Sequence, residues 1–229
     1  MMERFAQIQR TGGPEVIEWA DVPLTEPAPG EVRMRDLAVG LNFIDTYHRS
    51  GLYPMAKPCG LGMEAAGIIE AVGDGVSDWQ VGDRVATFGP TIGAYCTARN
   101  IAAKSLFGVP DDISHEVAAA GLLKGCTTEF LVERCAKVQP QWDVLVHAAA
   151  GGVGLLLVQW LKHVGARVIG TVSTDEKAAL ARAAAVSSFA WRNCARVPVN
   201  SSMRVWAWVS SVRVFSRVRP RSAAASSSS

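Results

Sequence analysis

The residues Ala149-Ala150-Gly151-Gly152-Val153-Gly154 are the first in this chain whose types and spacing can do chemistry. Against the pattern G-x-G-x-x-G they keep the second and third glycines and carry Ala149 in place of the first. Gly151 lets a backbone approach a pyrophosphate, and Gly154 allows a helix to pack closely on a strand. The first N–H groups of a helix present partial positive charge to a phosphate. Ala150, Gly151, Gly152, Val153 and Gly154 are therefore a candidate dinucleotide cradle.

A second pair lies downstream, Ser173 at the end of an apolar run and Lys177 four residues on. NAD-binding sheets place an acid at the end of their second strand; NADP-binding sheets replace it and add a cation. Ser173 and Lys177 suit a 2′-phosphate, which points to NADPH. Asp175 close by, and the fitness of Ser173 as a helix cap, point the other way.

Other reactive side chains do not assemble. His48, His115 and His163 have no ligand spacing, and His147, inside an apolar strand, reads as a buried core histidine. No Ser-His-Asp or paired-carboxylate arrangement stands out. The cysteines Cys59, Cys96, Cys126, Cys135 and Cys194 are odd in number, widely spaced and without C-x-x-C. That argues for reduced thiols in a cytoplasmic protein, without a disulfide frame or zinc ribbon. No apolar run reaches the roughly 18 residues of a membrane span, and the N-terminus lacks the apolar stretch of a secretory signal.

The elements that must position these residues are legible from periodicity. Residues 1–35 alternate apolar and polar between glycine- and proline-rich turns and predict short strands. A polar, aromatic segment from Asn42 to Pro54 predicts a helical turn and loop. Two further β runs follow, separated by glycine turns, as in a small barrel. Ser114 is placed to cap a helix that starts at His115. Then come a strand at 144–148, a helix near 154–164 stopped by Gly165, a strand from Arg167 to Val172, and a helix capped by Ser173 with Glu176 in a capping box. Strand, glycine turn and helix form the context in which a glycine motif means nucleotide binding. The predicted fold class is α/β, a β domain followed by an incomplete doubly wound parallel sheet. The predicted domains are 1–125, a substrate domain; 126–185, a partial nucleotide domain; and 186–229, a tail foreign to the fold.

That last boundary rests on composition. The net charge of +2 divides into −5 for residues 1–185 and +7 for residues 186–229. The tail holds 12 Ser, eight Val, seven Arg and three Trp, with no Gly, Leu, Lys, Asp or Glu. Such a vocabulary cannot continue a nucleotide-binding sheet, and it points to an altered reading frame or a replaced terminus. A basic arm for nucleic acid or membrane is the alternative reading. Trp206 and Trp208, with the apolar run after them, would invite aggregation if exposed.

Residues 1 to about 184 resemble the medium-chain dehydrogenase/reductase superfamily, and within it the zinc-free NADPH:quinone oxidoreductases, the zeta-crystallin-like branch. Four stretches carry the resemblance: Gly12-Gly13-Pro14-Glu15-Val16; NFIDTYHRSGLYP from Asn42; GLGMEAAGIIEAVGDGV with VGDRV after it; and LLKGCTT with VLVHAAAGGVGLLLVQWLKHVGARVIGTV. The resemblance implies a GroES-like β-barrel domain joined to a Rossmann domain. It also implies a departure from the zinc alcohol dehydrogenases. Asn42 stands where their first zinc ligand would be, and Met63, in Gly62-Met63-Glu64, where their histidine would be. An amide and a thioether make a poor zinc pair, so no metal site is expected.

By resemblance, Asn42, Asp45, Tyr47 and Tyr53 line the substrate cleft, the tyrosines offering ring and hydroxyl to a flat acceptor, and Lys124 and Thr127 lie near the nicotinamide. The implied reaction is NADPH-dependent reduction of a quinone or a similar conjugated carbonyl, a small-molecule partner, with no nucleic acid and no membrane. Family-like homo-oligomers would be doubtful for a truncated chain. Two alternatives stay open: a truncated, inactive or merely cofactor-binding product, and an alkenal or enoyl reductase on the same scaffold.

Overall fold

In the computed structural model the described residues are 2–89, 91–184 and 186, together with the strand backbones at 188–189, 203–209 and 212–217. The chain divides into two compact units, Met1–Leu123 and Lys124–Ser229.

The first unit contains two sheets. Strands β1 (Met2–Ile8), β2 (Ile17–Pro23) and β4 (Cys59–Gly60) form one, with β1 in the middle. The other is an antiparallel sheet in the order β7-β3-β5-β6-β8: β3 (Glu31–Gly40), β5 (Glu64–Val72), β6 (Arg84–Phe88), β7 (Ala98–Ala102) and β8 (Leu106–Gly108). Its core gathers Val32, Met34, Ala65, Ile69, Val85, Ile101 and Leu106. One pairing matters for the site. The β3–β5 ladder sets Gly40 opposite Glu64, so an acid at the start of β5 lies beside the end of β3, two residues before Asn42.

Asn42 precedes α1 (Phe43–Ser50), and α1 ends on Gly51. Gly51 takes the left-handed conformation at φ 84°, which a Cβ would disfavour, and its N–H donates to Tyr47 O at 3.1 Å. Two residues later the Tyr53 N–H donates to the same carbonyl at 3.2 Å, folding the loop back over the helix.

Helix α2 (His115–Glu129) begins at Ser114, whose hydroxyl accepts the Val117 N–H at 3.3 Å, the cap that the sequence predicts. A π-helical segment, Phe130–Ala136, continues it.

In the second unit β9 (Asp143–Val146) leads into α3 (Gly152–Val164), then β10 (Arg167–Gly170), α4 (Asp175–Ala184) and the short β11 (Ser188–Phe189). β9, β10 and β11 run parallel. Helix α3 buries Gly154, Leu157, Val158 and Leu161, the i, i+3, i+4, i+7 stripe of a core-facing helix. That stripe packs with Val144 and Val146 of β9. Gly165 at φ 87° closes the helix as predicted.

Two local expectations are corrected. The helix cap after β10 is Thr174, whose hydroxyl accepts the Lys177 N–H at 3.2 Å, and α4 starts one residue later than a Ser173 cap would set it. His147 lies past the end of β9 on the turn, half-buried, with Nδ1 3.0 Å from Thr171 Oγ1.

The predicted tail also differs in its backbone. β12 (Met203–Val209) and β13 (Val212–Arg217) form an antiparallel hairpin, and β13 lies antiparallel beside β9. Alternating Val and aromatic residues there favour extended backbone even without glycine turns or acids. The side chains of the tail, Trp206, Trp208 and Cys194 among them, lie outside the described residues.

Candidate functional site

The cradle begins where β9 stops. The Thr171 N–H donates to Val146 O at 3.0 Å, and Thr171 in return accepts the Ala149 N–H on its carbonyl at 3.0 Å and the Ala148 N–H on its hydroxyl at 3.3 Å. The chain turns at Ala148, a non-glycine residue at φ 51°, a conformation that costs an L residue about 1–2 kcal/mol. Gly151 then stands at the N-cap of α3, with its N–H on Ala148 O at 2.8 Å. Ala149 is buried, Ala150 and Val153 half-buried against the core, and Gly151 and Gly152 exposed.

Two glycines of the turn differ in what surrounds them. A Cβ on Gly154 would lie 2.2 Å from Ala148 O and 2.9 Å from Ala149 C, so only glycine seats α3 against the turn. A Cβ on Gly152 would lie 3.0 Å from Cδ of Lys124, which places the stem of Lys124 over the exposed face of the cradle. Thr127 follows one turn along α2, half-buried. At the end of β10 the Lys177 ammonium donates to Ser173 Oγ at 3.2 Å. Because Thr174 does the capping, Ser173 keeps its hydroxyl for that pair. The second unit thus brings together Lys124 with the glycine turn, and Ser173 with Lys177. Thr171, which ties the turn, carries no signal in the sequence beyond a β-branched residue at a strand end.

In the first unit the four candidate side chains cluster at α1. The Tyr47 and Tyr53 rings are 5.4 Å apart and tilted, with Phe43 5.8 Å from Tyr47. Asn42 and Asp45 sit below, both buried. Asp45 Oδ2 accepts the Asn42 backbone N–H at 2.9 Å, the reciprocal bond of a helix start, and the Tyr95 hydroxyl at 2.7 Å. The Asn42 amide donates to Glu64 Oε2 at 2.9 Å and to Gly40 O at 3.4 Å.

Three members of this cluster escape the sequence reading. Glu64 is 0% exposed, and its Oε1 accepts the Leu123 N–H at 2.6 Å. An acid inside GMEAAGII was the signal, since a buried carboxylate must be hydrogen-bonded. Tyr95 is raised well above the ordinary phenol range, first by burial and then by its hydrogen bond to Asp45. His48 is buried behind Tyr53, with ring centroids 6.1 Å apart and its pKa lowered mainly by burial. Neither Tyr95 nor His48 shows a pattern in sequence, because packing alone brings them in.

Among the described residues no three His, Cys, Asp or Glu gather as a metal cluster, and no helix is long and apolar enough to cross a membrane.

Comparison with known proteins places these features. Residues 28–140 match the alcohol dehydrogenase GroES-like domain. The chain is 50% identical over 182 residues to a quinone oxidoreductase of Pseudomonas aeruginosa, covering 79% of this chain and 56% of that protein. It is 48% identical over 187 residues to a 2-haloacrylate reductase of a Burkholderia species, again with 79% and 56% covered. The crystal structure of Escherichia coli quinone oxidoreductase complexed with NADPH superposes with a TM-score of 0.79 at 44% identity, covering 81% of this chain and 57% of that one. The chain therefore spans a little over half the length of these relatives. The fold is a GroES-like β domain with part of a Rossmann sheet.

Proposed function

This chain belongs to the quinone oxidoreductases of the medium-chain dehydrogenase/reductase superfamily, and from that premise we propose that it reduces quinones or similar conjugated acceptors with NADPH and without zinc. The observation that carries the cofactor reading is the fit of the second unit to a dinucleotide. The cradle excludes a Cβ at Gly154, and the end of β10 offers a hydroxyl and an ammonium where an NAD-binder holds an acid. Gly151, Gly152 and the start of α3 would hold the pyrophosphate, with Ala150 and Val153 packed beneath. Ser173 and Lys177 would hold the 2′-phosphate, and Lys124 and Thr127 the nicotinamide side. The bound nicotinamide supplies hydride; the protein supplies position and the exclusion of competing reactions.

Tyr47 and Tyr53 present ring faces and hydroxyls to a flat acceptor, and Asn42 and Asp45 hold the helix that carries Tyr47. The zinc-free reading is supported by Asn42. With Met63 it puts an amide and a thioether where zinc would need thiolate or imidazole, and the Asn42 NH2 is turned to Glu64 as a donor. Unbridged Cys59, Cys96, Cys126 and Cys135 accord with a cytoplasmic setting.

The 48% identity to a 2-haloacrylate reductase favours activated alkenes as the second reading. The third reading is a chain that binds the cofactor without turnover. NADPH oxidation by purified chain, followed with a quinone, a 2-alkenal and a 2-haloacrylate, separates the first two. A rise in melting temperature with NADPH but no turnover with any acceptor establishes the third. No rise at all removes the cofactor reading, since a ligand of the native state must stabilise it.

A further inference from the structure

Resting on the function just proposed, we propose that Glu64 is the positioning residue of the first unit's site, one buried carboxylate that orients the Asn42 amide and holds the α2 backbone at Leu123. Among its contacts, Glu64 accepts from the Asn42 amide on one oxygen and from the Leu123 N–H on the other.

The geometry is specific. Glu64 opens β5 opposite Gly40, and its carboxylate reaches past that residue. A Cβ on Gly40 would lie 2.3 Å from Glu64 Oε2 and 2.2 Å from Ala119 O, so glycine there is what admits both the carboxylate and α2. One oxygen then takes the Asn42 Nδ2–H at 2.9 Å and the other the Leu123 N–H at 2.6 Å. An ionised carboxylate only accepts. The Asn42 amide must therefore turn its NH2 toward Glu64 and its Oδ1 away. An asparagine amide has two nearly isosteric orientations, and here the partner selects one. The same side chain meets α2 at Leu123, so a single group fixes both the amide of a candidate site residue and the backbone of the first unit's last helix.

Glutamine is the informative replacement. Glu64→Gln keeps volume and neutralises the buried group, but it offers one acceptor to two donors. Its own NH2 must then face either the Asn42 NH2 or the Leu123 N–H. The full chain is tested in two ways. The first needs no turnover: the side-chain NH2 signals of Asn42, assigned by their loss in Asn42→Ala, are followed by NMR. In the wild-type chain these protons exchange slowly with solvent, and Glu64→Gln shifts them and speeds their exchange. Fast exchange in the wild-type chain, or signals that do not move in Glu64→Gln, overturns the proposal; so the test stands even if Glu64→Gln does not fold. The second is a double-mutant cycle on kcat/KM. Loss of a hydrogen bond to a charged group predicts about a tenfold fall or more for Glu64→Gln. Adding Glu64→Gln to Asn42→Ala should then cost little further activity, because the two act through one contact. Fully multiplicative losses overturn the proposal. If the wild-type chain turns over no acceptor, the proposed function has failed and the NMR result alone decides the role of Glu64.

Discussion

Lys177 Nζ stands 3.2 Å from Ser173 Oγ at the end of β10, a lysine and a hydroxyl paired where NAD-binding sheets hold an acid. This pair gives the first prediction. Lys177→Ala should weaken NADPH binding about 10- to 100-fold, as expected for one charge-assisted hydrogen bond to phosphate, and should leave NADH binding nearly unchanged. Ser173→Asp should reverse the preference, because it repels the 2′-phosphate and accepts from a ribose hydroxyl. Titration with each nucleotide checks both variants. Equal losses for NADPH and NADH would show that the pair does not read the 2′-position.

Gly154 and Gly152 make a controlled comparison two residues apart. A Cβ at 154 strikes backbone, Ala148 O at 2.2 Å, whereas one at 152 meets only the flexible stem of Lys124 at 3.0 Å. Gly154→Ala should lower stability by about 1–3 kcal/mol through overpacking and weaken NADPH binding with it. Gly152→Ala should fold with nearly wild-type stability, its effect confined to cofactor affinity through Lys124. Denaturant midpoints and nucleotide titrations on both variants decide. Equal destabilisation of the two would remove the packing argument.

The glycine turn was legible because its constraint is local. A strand, small residues and a helical stripe sit in one run of sequence, and Gly154 is needed by its own neighbours. The same holds for Ser114 and Gly165, a cap and a stop set within their own helices. The features that sequence does not show depend on partners far away in the chain. His147 finds Thr171, 24 residues on, and Tyr95 finds Asp45, 50 residues back. Capping failed by one residue for a different reason: Ser173 and Thr174 are both competent caps, and the phase of α4 against the sheet chooses between them. The strands β12 and β13 carry no turn glycines or acids, and alternation of Val and aromatic residues alone suffices for their extended backbone.

Tyr95 offers a test of how α1 is anchored. Its hydroxyl and the Asn42 N–H share one oxygen of Asp45, while Asp45 Oδ1 is buried without a hydrogen-bond partner among the described residues. Tyr95→Phe keeps the ring and leaves that carboxylate with a single donor. The expected cost is about 1–3 kcal/mol of stability, the penalty for an under-satisfied buried group. The KM for quinone should rise because Tyr47 rides on α1, while NADPH affinity stays near wild type. Thermal melts with separate titrations of acceptor and cofactor check this. A change confined to NADPH affinity would contradict it.

Asp36 and Arg99 predict the pH dependence of stability. Both side chains are buried, with Arg99 Nε 3.5 Å from Asp36 Oδ2 and Cys96 Sγ 3.3 Å from the same oxygen. Burial is the largest influence on the Asp36 carboxyl and pushes it up to about 7 from an ordinary 3.8, against the pull of Arg99 and Cys96. Between those values the folded chain keeps a proton that the unfolded chain has lost. The stabilisation from Asp36 is therefore complete below 3.8 and disappears as pH rises through about 7. Arg99 Nε, Nη1 and Nη2 make no hydrogen bond among the described residues, so the pair is poorly compensated. Above about pH 7, where Asp36 is ionised, Asp36→Val alone strands the Arg99 charge and should cost about 3–5 kcal/mol, whereas Asp36→Val with Arg99→Leu should be close to neutral or stabilising by up to about 4 kcal/mol. Denaturant midpoints across this pH range check both statements. The double variant should lose the downward slope seen in the wild-type chain; a slope that survives in it would assign the titration to another group.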